Sequence, residues 1–425
     1  MSNWRMSVGV WLLATAGAVP AAEWTEFRGP TGQGVSDQAG LPLTWSETEN
    51  VAWKTPIPGL GWSSPVVSKG KIYLTTSVDV PADGDKPEAH ELRAICVNAG
   101  TGKVEWNNEL FHREGALKMH PKNSHASPTP LIDGERIYFH FGPHGTACLK
   151  PDGSLVWKNE ELVYSPQHGT GGSPALVDGL LVICCDGADQ QFVVALDKLT
   201  GKITWKTPRN TMPPKGFSFC TPLVISVNGQ KQAVCPGSTA VIAYVPATGK
   251  EIWRCQYGSG YSVVPRPVYS QGLIFVSSSY DNASLLAIDP TGTGDVTETH
   301  LKWKTEKQAP HNPSMVAVDD MLFFVSDHGI ATCVDAKTGE KHWQERIEGD
   351  YSASPTVAEG RIYFQDENGK ATVVTASKKY EVLATNTFAA GERTFASYGV
   401  LDKSFLIRSE KHLYRVGSSQ SARAK

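Results

Sequence analysis

Short stretches in which apolar and polar residues alternate run along residues 50 to 417, each bounded by a Gly-containing turn, and this patterning predicts β-strands throughout. The stretch from Ser127 to Lys158 shows the unit: SPTPLIDGERIYFHFG, a short loop, then TACLKPDGSLVWK, which reads as four strands, A to D. Asp133 with Gly134, Asp178 with Gly179 and Asn228 with Gly229 suit a tight hairpin between strands A and B. Thr101 with Gly102, Asp152 with Gly153, Thr200 with Gly201, Thr248 with Gly249 and Thr338 with Gly339 mark a second tight turn, after which strand D runs up to a Trp.

That unit repeats. Trp106, Trp157, Trp205, Trp253, Trp303 and Trp343 are 51, 48, 48, 50 and 40 residues apart, and Trp53 precedes them by 53. A second ladder, Pro opening strand A, falls at Pro65, Pro128, Pro174, Pro222, Pro267, Pro313 and Pro355, with a Pro-less copy near Ser397. Pro at the first position of a strand loses no ladder hydrogen bond. Strand-rich periods of this length belong to propeller blades, so the two ladders predict an all-β, eight-bladed β-propeller of four-stranded antiparallel blades. The last copy supplies only three strands, and Asn50 to Thr55 is expected to add the fourth and close the ring. The recurring indoles are read as docking residues that fill the wedge between neighbouring blades. Blade seven offers Tyr380 and Val382 where Trp is expected, which predicts a weaker seam there.

Composition adds limits. A formal net charge of -3 leaves no basic footprint, so a nucleic-acid partner is not expected. Residues 1–22 are different text: Arg5, an apolar run from Val8 to Val19, then Ala21 and Ala22 as a cleavage site, the pattern of a secretory signal peptide. The mature chain would then begin near Glu23 and be exported to the periplasm or cell exterior, with no transmembrane segment after cleavage. Residues 23–49 read as an ordered leader lying against the disc, with Trp24, Phe27 and Trp45 as apolar pegs. Gly32 and Gly34 within it lack the helix and Lys-Ser/Thr pair of a phosphate loop. Residues 418–425 are small and polar and are expected to be disordered, and a monomer is expected.

The TGK turn with its Trp, the Pro-opened strands and the eight copies together resemble the PQQ-like repeat family over about residues 50 to 417. That family includes the quinoprotein alcohol dehydrogenases and the outer-membrane assembly lipoprotein BamB. For its dehydrogenase branch the resemblance implies pyrroloquinoline quinone at the ring centre with calcium, a catalytic Asp and a ring formed by two joined neighbouring cysteines. Cys184 and Cys185 match that pair in spacing alone, and as adjacent strand residues they would face opposite sides of a sheet. Neither the calcium ligands nor a catalytic base can be assigned, so no cofactor and no metal is assigned. Pyrroloquinoline quinone with calcium stays as the alternative. Cys96, Cys148 and Cys333 occupy comparable places in the repeat, shared with Ala195 and Ala243, and read as small buried strand residues.

Chain polarity says where a ligand would sit. In a four-stranded antiparallel blade the AB and CD turns share one face of the disc and the BC and DA loops the other. Here the turns are short and stereotyped, while the loops vary and carry the unusual polar residues. The ligand candidates are His125 at the mouth of blade two, His144 in its BC loop, His168 in the next DA loop, Asp186 and Asp189 in the BC loop of blade three, Arg266 beside the inner strand of blade five, Asp281 in a BC loop, and His311. His120, Lys122, Tyr261 and Tyr280 share that rim. His140 and His144 lie across a Gly-Pro turn rather than on a helix, so their spacing assigns no metal. Two classes follow: an exported binding or scaffolding propeller with a protein or small-molecule ligand at the loop face, and, as the alternative, a quinoprotein alcohol or sugar dehydrogenase.

Overall fold

The computed structural model describes residues 23–81, 87–388 and 391–417. The expected signal peptide and disordered tail lie outside the described residues. Eight sheets, each built on four antiparallel strands, surround one axis. Their inner strands are short: Val66–Ser68, Leu131–Asp133 and Ala175–Val177 in blades one to three, for example, with the five-residue Leu223–Val227 of blade four the longest. Helix is confined, among the described residues, to one 3-10 turn at Gly142–His144. Val51–Pro56 pairs antiparallel with His412–Gly417 as the outermost strand of blade eight, so the ring closes by joining the two ends of the propeller chain.

The indoles pack at the seams, and the sequence around them explains how. Trp53, Trp106, Trp157, Trp205, Trp303 and Trp343 each donate Nε1–H to a backbone carbonyl in the CD turn of the next blade, at 2.8 to 3.1 Å. The glycine of that turn lies flat against the indole: a Cβ at Gly201 would sit 2.4 Å from Trp157, and its φ of 72° is left-handed. Two residues beyond the Trp, Thr55, Asn108, Asn159 and Thr207 hydrogen-bond the carbonyl of the same glycine. Directly opposite the indole on strand C stands a small residue, Cys96, Cys148, Ala195, Ala243, Ala287 or Cys333. Those cysteines are therefore packing residues, and burial pushes the thiols of Cys96 and Cys333 up to about 12.

Two seams depart from the rule. Trp253 is fully buried and bonds Gln232 of its own blade, because the CD connection of blade five is longer and lays Gly294–Asp295 parallel against the outer strand of blade four. In blade seven the residue paired at the Trp position is Ala384, not Tyr380 or Val382. The seam is not left open there. Trp45 of the leader is buried against Tyr363 of blade seven and Phe405 of blade eight, with its backbone N–H on Asn386.

The strand-opening ladder also shifts in two blades. The residues immediately before strand A are Pro130 in blade two and Met315 in blade six, so Pro128 and Pro313 stand two positions early. A slip of two preserves which side each residue faces, so the alternation alone does not detect it. The core is a chain of apolar clusters, one at each seam, except that the two seams flanking blade eight merge into one cluster holding Trp24, Leu41 and Trp45 of the leader.

Candidate functional site

The leader closes one mouth of the axial channel. Trp24 exchanges backbone hydrogen bonds with Val67 of blade one, Thr25 accepts from Ile132 of blade two, and Val35–Ser36 pairs parallel with Val357 and Ala358 of blade seven. Between them the chain crosses the axis on the AB-turn side. There Arg266 donates to the Phe27 carbonyl at 2.5 Å and to Glu26 at 2.9 Å, and Arg28 donates to the carbonyls of Met315 and Gln33. Glycine suits this crossing, since Gly32 has a left-handed φ of 68° and a Cβ there would lie 2.4 Å from the Arg266 guanidinium and displace it. Beside the leader, near blades three and four, remains a cavity of about 530 Å³.

Above the leader the channel forms a cup of about 400 Å³ whose floor includes Phe27. Two tiers of side chains line it, because the chain entering each inner strand is extended and every second residue faces the axis. The lower tier lies two residues before each strand: Ser64, Thr129, Ser173 and Thr221 in blades one to four, then Ser314, Ser354 and Ser397 in blades six to eight. Blade five places Arg266 at this position, and it turns away to the leader. The hydroxyls are locked into two arcs: the backbone N–H groups of Ser64, Thr129 and Ser173 donate to the hydroxyl of the next blade, as do those of Arg266, Ser314 and Ser354, at 2.9 to 3.0 Å. The upper tier, two residues earlier, carries Trp62, Phe219 and Phe395 among smaller residues.

At the rim an arc of rings runs from His120 through His168, Phe217, Tyr261 and Tyr280 to His311, with neighbouring centroids 4.6 to 6.0 Å apart. Lys122 lines the cup, but its ammonium is met by Glu367 at 2.9 Å, and Glu367 also accepts from Ser352. No carboxylate lines the cup among the described residues.

Of the sequence candidates, His168 lines the cup and His311 stands at its rim against Tyr280; burial and the neighbouring His120 hold the His168 imidazole below its ordinary range. The others are placed elsewhere. His125 is buried at the seam of blades one and two, its ring 4.9 Å from His90 and 6.1 Å from His144, and burial lowers both His125 and His144 to about 4. Asp186 is fully buried in a two-pronged pair with Arg209 at 2.6 and 2.7 Å. Asp189 caps the Ser165 amide, and Asp281 pairs with Lys215 on the exposed rim. Arg266, expected to face a ligand, is spent on the leader: the residue before Pro267 does point to the axis, but at the level of the plug. The hydroxyl tier and Trp62, Phe219 and Phe395 escaped sequence reasoning, which weighed titratable groups. Counting back in twos from strand A finds them only once the strand starts are known, since Pro128 and Pro313 stand two positions early.

The cysteine pair and the cup test the quinone arrangement directly. Cys184 and Cys185 sit in a regular strand opposite Val193 and Phe192, one thiol in the cluster between blades three and four and the other between blades two and three. They are free and packed away from the axis. With no lining carboxylate, and no group of three or more His, Cys, Asp or Glu placed to hold a metal among the described residues, the residues present do not fit quinone with calcium.

Fold and cup together define an eight-bladed propeller with one open axial mouth. The chain belongs to the PQQ-like repeat family: the family model described as outer membrane protein assembly factor BamB matches residues 34–170, 95–340 and 301–379. Polyvinylalcohol dehydrogenase from Sphingopyxis sp. (strain 113P3) is 22% identical over 256 residues, 59% of this chain, which spans only 33% of that relative's length. BamB from Moraxella catarrhalis superposes with a TM-score of 0.58 at 13% identity over 86% of this chain and 99% of its own. The quinohemoprotein alcohol dehydrogenase ADHIIG from Pseudomonas putida HK5 gives 0.63 at 11% identity, covering 95% and 81%. At such identities the structural likeness speaks for the fold alone. No helix among the described residues is long and apolar enough to cross a membrane.

Proposed function

We propose that the protein is an exported binding or scaffolding propeller, periplasmic or extracellular and monomeric, that receives its ligand or partner at the BC/DA-loop face through the axial cup. One observation carries this reading: among the described residues the chain's own leader crosses the opposite mouth, so the cup faces the variable loops and the ring arc. A cup of about 400 Å³ in which Trp62, Phe219 and Phe395 stand among many Ser, Thr, Asn and His side chains has the size of a small-ligand site. His168 and His311 stand where a bound group would meet them, with Asp281 on the outer rim for a larger partner. The dehydrogenase alternative draws on the alcohol dehydrogenase relatives, yet among the described residues no carboxylate lines the cup to serve as base. Filling the cup by Ser173→Trp tests the proposal. Binding of the cognate ligand is lost in a folded variant, whereas a ligand bound as before would place the contact elsewhere.

A further inference from the structure

The perimeter of the cup is divided by chemistry into quadrants. In the upper tier blades eight and one supply Phe395 and Trp62, whose rings pack at 4.7 Å. Half a turn around the ring, blades four and five supply Phe219 and Val264. The quadrants between these apolar walls are small or polar: Ser127 and Gly171 on one side, Asn312 and Ser352 on the other. Gly171 keeps its quadrant open, since a Cβ there would meet the Phe219 Cβ at 2.7 Å. The opening is thus a slot with two facing apolar walls, polar ends and a hydroxyl floor.

We propose that this slot takes a short neutral saccharide, an inference that rests on the cup being the ligand site. A pyranose ring has apolar faces and hydroxyl edges, the same division as the slot, and aromatic walls bury such faces. Sugar hydroxyls both donate and accept, as do the Ser and Thr of the floor. Thr129, Ser173 and Thr221 each accept a neighbour's amide and keep their own O–H to donate toward the axis, whereas Ser354 donates its O–H to the Ser314 hydroxyl at 3.1 Å. Charge argues for neutrality. Lys122 is offset by Glu367, and an anionic heteroaromatic ring would set its charges against uncharged hydroxyls.

The test is calorimetric titration of the full chain with a panel of neutral disaccharides to hexasaccharides, a uronate oligomer, and pyrroloquinoline quinone. Tryptophan fluorescence is followed in parallel, because Trp62 forms part of the wall. Saturable binding of a neutral saccharide is expected, weakened about tenfold by Phe219→Ala or Phe395→Ala (about 1.4 kcal/mol) and retained by Phe219→Trp. Trp62→Phe is expected to bind while losing the fluorescence change. Binding of the quinone or the uronate in the cup, with every neutral saccharide inert, would overturn the saccharide and leave the cup as the site. A saccharide whose affinity ignores both Phe variants, or no binding by any member of the panel, overturns the saccharide proposal as well. A saccharide that binds regardless of both Phe variants also removes the cup as the site.

Discussion

Trp45 stands in the wedge that Ala384 leaves unfilled. Every other blade sends an indole of its own strand D toward its neighbour. Blade seven has Ala384 at that position, and the leader supplies the ring instead, with the Trp45 backbone N–H on Asn386, the counterpart of the Thr and Asn residues that bond the turn glycine elsewhere. The seam between blades seven and eight is thereby closed from outside the repeat.

Trp45→Ala should cost about 3 to 5 kcal/mol, as for other buried aromatic truncations. Ala384→Trp should also destabilise, since two indoles would compete for one wedge. Urea denaturation of both variants checks this, and a Trp45→Ala change of under about 1 kcal/mol would show that the leader merely lies on the disc.

Closure of the ring depends on Val51–Pro56. A chain that starts at residue 56 exposes the edge of His412–Gly417 and loses both leader plug and closing strand. Such a chain is expected to lose cooperative unfolding and to self-associate, measured by calorimetry and light scattering. A monomeric chain with an unchanged melting temperature would contradict the closure.

The Asp186–Arg209 pair is buried, two-pronged and supported by the Cys235 and Pro236 carbonyls. Asp186→Asn leaves the guanidinium without its counter-charge and should destabilise by about 3 to 5 kcal/mol. The double variant Asp186→Leu with Arg209→Met should recover much of that loss. A double-mutant cycle in urea measures the coupling.

Burial holds His125 and His144 at about 4 and His140 at about 3, below the ordinary imidazole value of 6.5. With folded values lowered, the unfolded chain binds more protons between the two, so this stability is complete above pH 6.5 and is lost as pH falls toward 4. Each imidazole accounts for about 2 kcal/mol of loss at pH 5. Urea midpoints from pH 7.5 to 5 should fall accordingly, and His140→Asn should flatten the slope.

Much of the fold was legible because its markers are rigid. An indole, a left-handed glycine and a small cross-strand partner recur together, as at Trp157, Gly201 and Cys148, once per four strands. The cup was legible only as a face. Histidines and acids attract attention by their chemistry, but here most are spent on seams, as His125 and Asp186 are, or on exposed pairs, as Asp281 is. Ser173 or Thr221 carries no mark in the sequence, and its role appears only when the inner strands are set side by side around the axis. Arg266 misled for a related reason: direction toward the axis is readable from the chain, depth along it is not.

A crystal structure of the full chain, grown with whichever panel compound titrates most tightly, tests the central claim most directly. The account predicts ligand density between Phe219 and Phe395, resting on the hydroxyls of Ser173 and Thr221, with the leader still in place beneath. Density at the underside beside Arg266 and Gln33, or a cup unchanged while the leader is displaced, would contradict it.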